Sequence, residues 1–194
     1  MLTTPSHTQQ TDASQRTLIP VSLRIILGLV YTASILITVE NLLVTQLNSF
    51  GGSQVLSLSA TMVFLRVITA GWALLLTLFQ GIALGILFAV STGLPRPRIG
   101  ESWGYILVAQ MPFSLAVFTL FVLGKTDALP MAYGPYVQQL SGVITAIVFA
   151  IFASRGKQVV YPRLVAFIVL TIAANSAILL LTSQIHAHLA LSKS

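Results

Sequence analysis

The sequence predicts an all-α, polytopic integral membrane protein of five transmembrane helices, with its N-terminus cytosolic and its C-terminus outside or lumenal. Three observations carry this. The chain has 194 residues, 56% hydrophobic and 7% charged, where a soluble domain carries about 25% charged residues. Its apolar residues gather into five runs near the roughly 20 residues that cross a bilayer core. Its cations also sit unevenly at the ends of those runs. Arg16, Arg24, Arg96, Arg98, Arg155, Lys157 and Arg163 fall on the side of the amino terminus, and Arg66, Lys125 and Lys193 on the other. The positive-inside rule turns that bias into a cytosolic amino terminus.

This composition argues against a soluble enzyme or a nucleic-acid-binding domain, because the charges are too few to clothe a soluble surface. The formal net charge of +6 is an orientation signal rather than a nucleic-acid footprint. The chain has no cysteine, which removes disulfides, thiolate nucleophiles, Cys-based zinc sites and palmitoylation.

The elements follow in order. Residues 1–20 are a disordered polar cytosolic tail, rich in Ser, Thr and Gln and closed by Pro20; such a segment cannot bury enough apolar surface to fold alone. Residues 21–188 form the membrane domain, with helices expected at about 25–46, 63–91, 104–123, 136–153 and 163–185. The first run has no small-x-small cleavage site behind it and is a retained helix rather than a signal peptide. A Gly/Ser/Asn/Gln-rich connection with Gly51-Gly52 leads to the second run, which is uncharged from Val67 to Val90. Pro95-Arg96-Pro97-Arg98 stops it. Pro112 should kink the third helix. The loop from Gly124 to Pro135 leads to the fourth run, the most polar at its start, with Gln138, Gln139 and Ser141. Arg155-Gly156-Lys157 ends it. The fifth helix follows Arg163, and 189–194 is a short tail.

Polar groups inside such helices are the candidates for function. Glu40, near the outer end of the first helix, and Arg66, at the outer start of the second, share a depth and are expected to pair; the alternative is that both end in the headgroup layer. Gln80 and Gln110 also match in depth. They could share an interhelical amide bond worth about 0.6 kcal/mol, or line a polar path with Asn175 on the fifth helix. Gly81 and Gly85 form a Gly-x-x-x-Gly helix-packing motif, and Ala146/Ala150 and Ala173/Ala177 are weaker versions of it. Arg96, Arg98, Arg155 and Lys157 are candidates for binding lipid headgroups or for anchoring loops at an anionic leaflet.

Catalytic chemistry is not visible. The four carboxylates are Asp12, Glu40, Glu101 and Asp127, dispersed along the chain. No zinc-protease, nucleophile-elbow or phosphate-cradling motif occurs, and His186 and His188 lack a third metal ligand. The expectation is a non-enzymatic protein without a catalytic residue, cofactor or metal.

The segment Trp103-Gly104-Tyr105-Ile106-Leu107-Val108-Ala109-Gln110-Met111-Pro112 resembles the aromatic-Gly-Tyr and mid-helix proline of the third helix in Yip (Ypt-interacting protein) domain proteins. A long second helix ending in Ser91-Thr92-Gly93, a short step from Ile99 to Trp103 and a basic fourth connection, Arg155 to Arg163, are similar too. The pattern covers roughly Ser57 to Leu181. The chain is similar to the short bacterial members; the acidic aromatic cytosolic region of eukaryotic trafficking members is absent. The resemblance implies a membrane scaffold or an accessory subunit of a membrane complex. Its partners would be the lipid bilayer and a membrane protein or further copies of itself, without nucleic acid, in a bacterial plasma membrane or alternatively an endomembrane. The rival readings are a small transporter or channel and a lipid-handling protein.

Overall fold

Each apolar run is a helix, and the helices extend a few residues beyond the runs. A computed structural model describes residues 18–49, 59–129 and 134–191, with backbone alone for 42–49, 59–62, 135 and 185–191. The tail to residue 17, with Asp12 and Arg16, the Gly51-Gly52 connection, Pro130 and Lys193 lie outside the described residues. The helices are α1 (Val21–Ser49), α2 (Ser59–Thr92), α3 (Ile99–Val122), α4 (Pro135–Ser154) and α5 (Tyr161–Leu191), with a 3-10 turn at Thr126–Ala128. Five helices are long and apolar enough to cross a membrane, and no strand occurs among the described residues.

The helix ends follow from local chemistry. Helix α3 starts at Ile99 rather than near residue 104, so the expected short step from Ile99 to Trp103 is its first turn. Glu101 explains this: its carboxylate accepts a hydrogen bond from the Arg98 N–H at 3.3 Å, satisfying a donor that the helix start leaves open. Helix α3 then runs unbroken through Pro112. At the end of α2, Gly93 takes φ +71°, the left-handed turn that glycine enters without a Cβ penalty. Arg163 reaches across from the start of α5 and donates from Nη1 to the Thr92 carbonyl at 3.2 Å. Lys157 stands 5.8 Å over the Phe88 ring. The connection between α4 and α5 therefore fastens the end of α2.

Helix α3 is central, packed against α1, α2 and α4, while α5 leans on α4 and α2. The α2–α3 contact is close because α2 presents glycine there. A Cβ on Gly81 would lie 3.1 Å from the Trp103 nitrogen and 3.2 Å from the Ser102 carbonyl carbon. Without one, the two backbones touch, as small residues allow in membrane helix pairs. Gly85 faces the Ser102 hydroxyl in the same seam, and Trp103 Nε1 donates to Thr77 Oγ1 at 3.1 Å. The Gly81/Gly85 face is thus occupied within the chain. Ala146 and Ala150 are buried, while Ala173 and Ala177 are exposed.

The core lies toward the end of the bundle that carries Arg24, Arg98 and Arg163. Phe88, Phe149 and Phe167 are each fully buried. Phe88 meets Phe167 edge-on at 5.4 Å, and Tyr105 meets Phe149 edge-on at 5.6 Å. Such pairs contribute about 0.5–1.5 kcal/mol beyond their area. The outward faces are apolar: Trp72, Phe79, Val90, Leu115, Val169 and Leu180 are exposed. In water such a belt would aggregate; in lipid it is the solvent-facing surface.

Candidate functional site

All five helices contribute to one cavity of 440 Å³. By helix rise, Gln80 is about 18 Å from the end of α2, Gln110 about 16 Å into α3 and Asn175 about 21 Å into α5. These three expected polar residues line the cavity together. Its other polar groups come from Tyr31 and Ser34 of α1, Ser114 of α3, and Gln138 and Ser141 of α4. Ile35, Leu76, Phe113, Val137 and Leu179 supply apolar wall. No charged side chain lines it among the described residues.

Two hydrogen-bond networks set the wall. Ser141 donates to Gln110 Oε1 at 3.2 Å, and Gln110 Nε2 donates to Thr145 Oγ1 at 3.4 Å, tying α3 to α4. Asn175 Nδ2 donates to Gln139 Oε1 at 3.2 Å, and Gln139 Nε2 donates to Ser176 Oγ at 2.7 Å, tying α4 to α5. On the α1 side Ser34 donates to the Tyr31 carbonyl at 2.7 Å; its hydroxyl oxygen lies 3.1 Å from that of Ser114. Gly142 makes room for the second network, because a Cβ there would overlap the Asn175 amide. Gly142→Ala should therefore push Asn175 off Gln139. A destabilisation of about 1–3 kcal/mol, the range for overpacking a filled site, is expected in thermal unfolding.

Gln80 differs from the others. It lines the cavity, and no hydrogen bond to its amide is present among the described residues. Gln110 turns to α4 rather than to Gln80, because the Ser141 and Thr145 hydroxyls reach it first. One donor-acceptor side chain therefore faces the cavity unengaged while its neighbours are held in place.

Comparison with known protein families, with curated proteins and with solved structures finds no match.

Glu40 stays outside the cavity. Its Oε1 accepts from Arg66 Nη2 at the far end of α1 and α2. Both side chains are about half exposed, at 46% and 48%, so the pair lies on the outside of the bundle. Exposed pairs couple by about 0.2–1 kcal/mol, and a double-mutant cycle with Glu40→Ala and Arg66→Ala should return a value in that range. At the opposite end Arg96, Arg98 and Arg155 are exposed and Lys157 is half-buried.

In the sequence Gln138, Gln139 and Ser141 mark only a polar start to the fourth run; their part in the cavity wall and in the α4–α5 contact is not read from it. Positions 138, 141, 142 and 145 fall at the i, i+3, i+4, i+7 spacing of one helix face. That polar and small stripe was a readable signal. Ser34 and Ser114 had none, because single hydroxyls in apolar helices commonly bond their own backbone.

Proposed function

We propose that this protein is a small membrane transporter or channel whose cavity accepts an uncharged polar solute. The observation that carries it is the meeting of Gln80, Gln110 and Asn175 on one cavity with no charged group in its lining. The volume, 440 Å³, falls within the roughly 300–1,000 Å³ of small-molecule sites. Amides and hydroxyls can exchange hydrogen bonds with a hydroxyl or amide solute. An ion would need a charge partner to offset its desolvation, and the cavity offers none.

The test is solute uptake by proteoliposomes, followed by stopped-flow light scattering with glycerol and urea. Wild type should equilibrate faster than empty liposomes. Gln80→Leu should lose most of that rate and unfold at the wild-type temperature, since Gln80 supports no packing bond. Uptake equal to that of empty liposomes, or unchanged in Gln80→Leu, would refute the reading.

The orientation belongs to the same proposal: amino terminus in the cytosol, carboxyl terminus outside. Arg155→Cys and Lys125→Cys each place a single thiol in an exposed connection at opposite ends of the bundle. In intact cells an impermeant thiol reagent should spare Arg155→Cys and label Lys125→Cys; the reverse pattern inverts the topology.

A second reading keeps the expectation of a non-enzymatic scaffold or accessory subunit similar to Yip-domain proteins. It draws on α5, which packs on α4 and α2 alone among the major contacts and exposes Val169, Leu170, Ile178, Leu180 and Leu181. Recovery of a stoichiometric membrane-protein partner with the tagged chain would favour it.

A further inference from the structure

Arg24 is a cation that the fold has enclosed. It is 8% exposed. Its Nε donates to the Ile19 carbonyl at 2.9 Å, and its Nη2 is buried without a hydrogen-bond partner. The side chain lies along the start of α3. Its Cγ passes 3.3 Å from where a Cβ on Gly104 would stand, and its Nη1 comes within 2.7 Å of the same point on Gly100. Two glycines one turn apart thus seat the stem and head of Arg24 against the first turns of a 24-residue helix.

That helix start is itself electropositive. The Glu101 and Ser102 N–H groups both reach the Arg98 carbonyl at 2.9 Å. Those of Ile99 and Gly100, the first two helical positions, have no intrahelical acceptor. The nearby carboxylate, Glu101, is turned back to the Arg98 N–H and makes no ion pair with Arg24 among the described residues. The Arg24 guanidinium, with its unused Nη2 donor, therefore lies against the turn that carries the free helix-start amides. Burial makes an unpaired donor costly, and an oxyanion satisfies both kinds of group at once.

We propose that Arg24 and the first turn of α3 bind a phosphate group, with its oxygens on Arg24 Nη2 and the N–H groups of Ile99 and Gly100. The chemistry is common to a phospholipid headgroup and a soluble phosphate. The site differs from the four surface cations expected to meet headgroups. Arg96, Arg98 and Arg155 are exposed, and Lys157 sits over Phe88. It lies apart from the polar cavity and does not depend on the transport reading.

Two arms test it on the full chain in detergent. Native mass spectrometry of protein taken from phosphatidylglycerol-containing membranes counts retained phospholipid. Thermal unfolding of delipidated protein is titrated with inorganic phosphate against chloride at equal ionic strength. Wild type should retain a phospholipid or be stabilised by phosphate. The first result alone assigns the lipid diester and the second alone a soluble phosphate. Arg24→Gln should abolish the response, while the combined Arg96→Gln, Arg98→Gln, Arg155→Gln and Lys157→Gln variant keeps it. Gly100→Ala keeps the charge but displaces the guanidinium, and should weaken binding about tenfold, the loss of one charge-assisted bond. It also serves if Arg24→Gln fails to fold. Wild type responding in neither arm, wild-type affinity in Arg24→Gln or Gly100→Ala, or loss confined to the surface quadruple, each overturns the proposal.

Discussion

Leucine at position 81 should push α2 off α3 and lower stability by about 3 kcal/mol or more, the upper part of the range for overpacked sites. The reason is what a side chain there would meet. The atoms within 3.2 Å of a Cβ on Gly81 are backbone atoms of Ser102 and Trp103. A flexible side chain could swing aside; a helix backbone cannot move without carrying its neighbours. Displacing α3 would also break the Trp103–Thr77 bond and disturb α1 and α4, since α3 packs on both. Gly81→Ala should show a smaller version of the same loss. Gly71→Leu, on the same helix, is the control, because nothing lies within 4 Å of a Cβ there. Unfolding of the three variants in one detergent, followed by tryptophan fluorescence, checks the ranking. Equal unfolding temperatures for Gly81→Leu and Gly71→Leu would show that α2 and α3 are not in backbone contact.

Phe149→Ala should cost about 3–5 kcal/mol, as for other large-to-small changes at filled sites. Phe149 is fully buried and touches three rings: Phe88 at 6.2 Å, Tyr105 at 5.6 Å and Phe167 at 5.8 Å. These belong to α2, α3 and α5, so the ring joins four helices through one side chain. In lipid, which is as apolar as the core, the loss would come from missing contacts and the cavity left behind rather than from water. Phe79→Ala removes a ring that is 57% exposed and should be near neutral. A loss at Phe149 no larger than at Phe79 would mean that the aromatic cluster does not hold the bundle.

The five-helix architecture was legible because hydropathy over some 20 residues is a strong, local signal. The helix ends were less so. Ile99 to Trp103 reads as a step before the third helix because the stretch carries Gly100 and Glu101, and the carboxylate's capping role shows only in three dimensions. For the site, depth arithmetic matched Gln80 with Gln110 and put Asn175 near mid-helix, and these three do share a cavity. Depth does not give azimuth, however. It could not tell that Gln110 turns to Ser141 and Thr145, or that Arg24, counted as an orientation charge, lies under the first turn of α3. Both depend on which helices neighbour each other, and a sequence of near-uniform hydrophobicity says little about that.

The central claim is that a polar cavity inside this bundle is open to a small water-borne molecule. The chain has no cysteine, so a single introduced thiol reports without background. The measurement is the reaction rate of Ser141→Cys with a small hydrophilic methanethiosulfonate reagent in liposomes, beside Leu170→Cys on the exposed apolar face of α5. The account predicts ready modification at Ser141, slowed by added glycerol or urea, and almost none at Leu170. A Ser141 thiol as unreactive as that at Leu170 would contradict it.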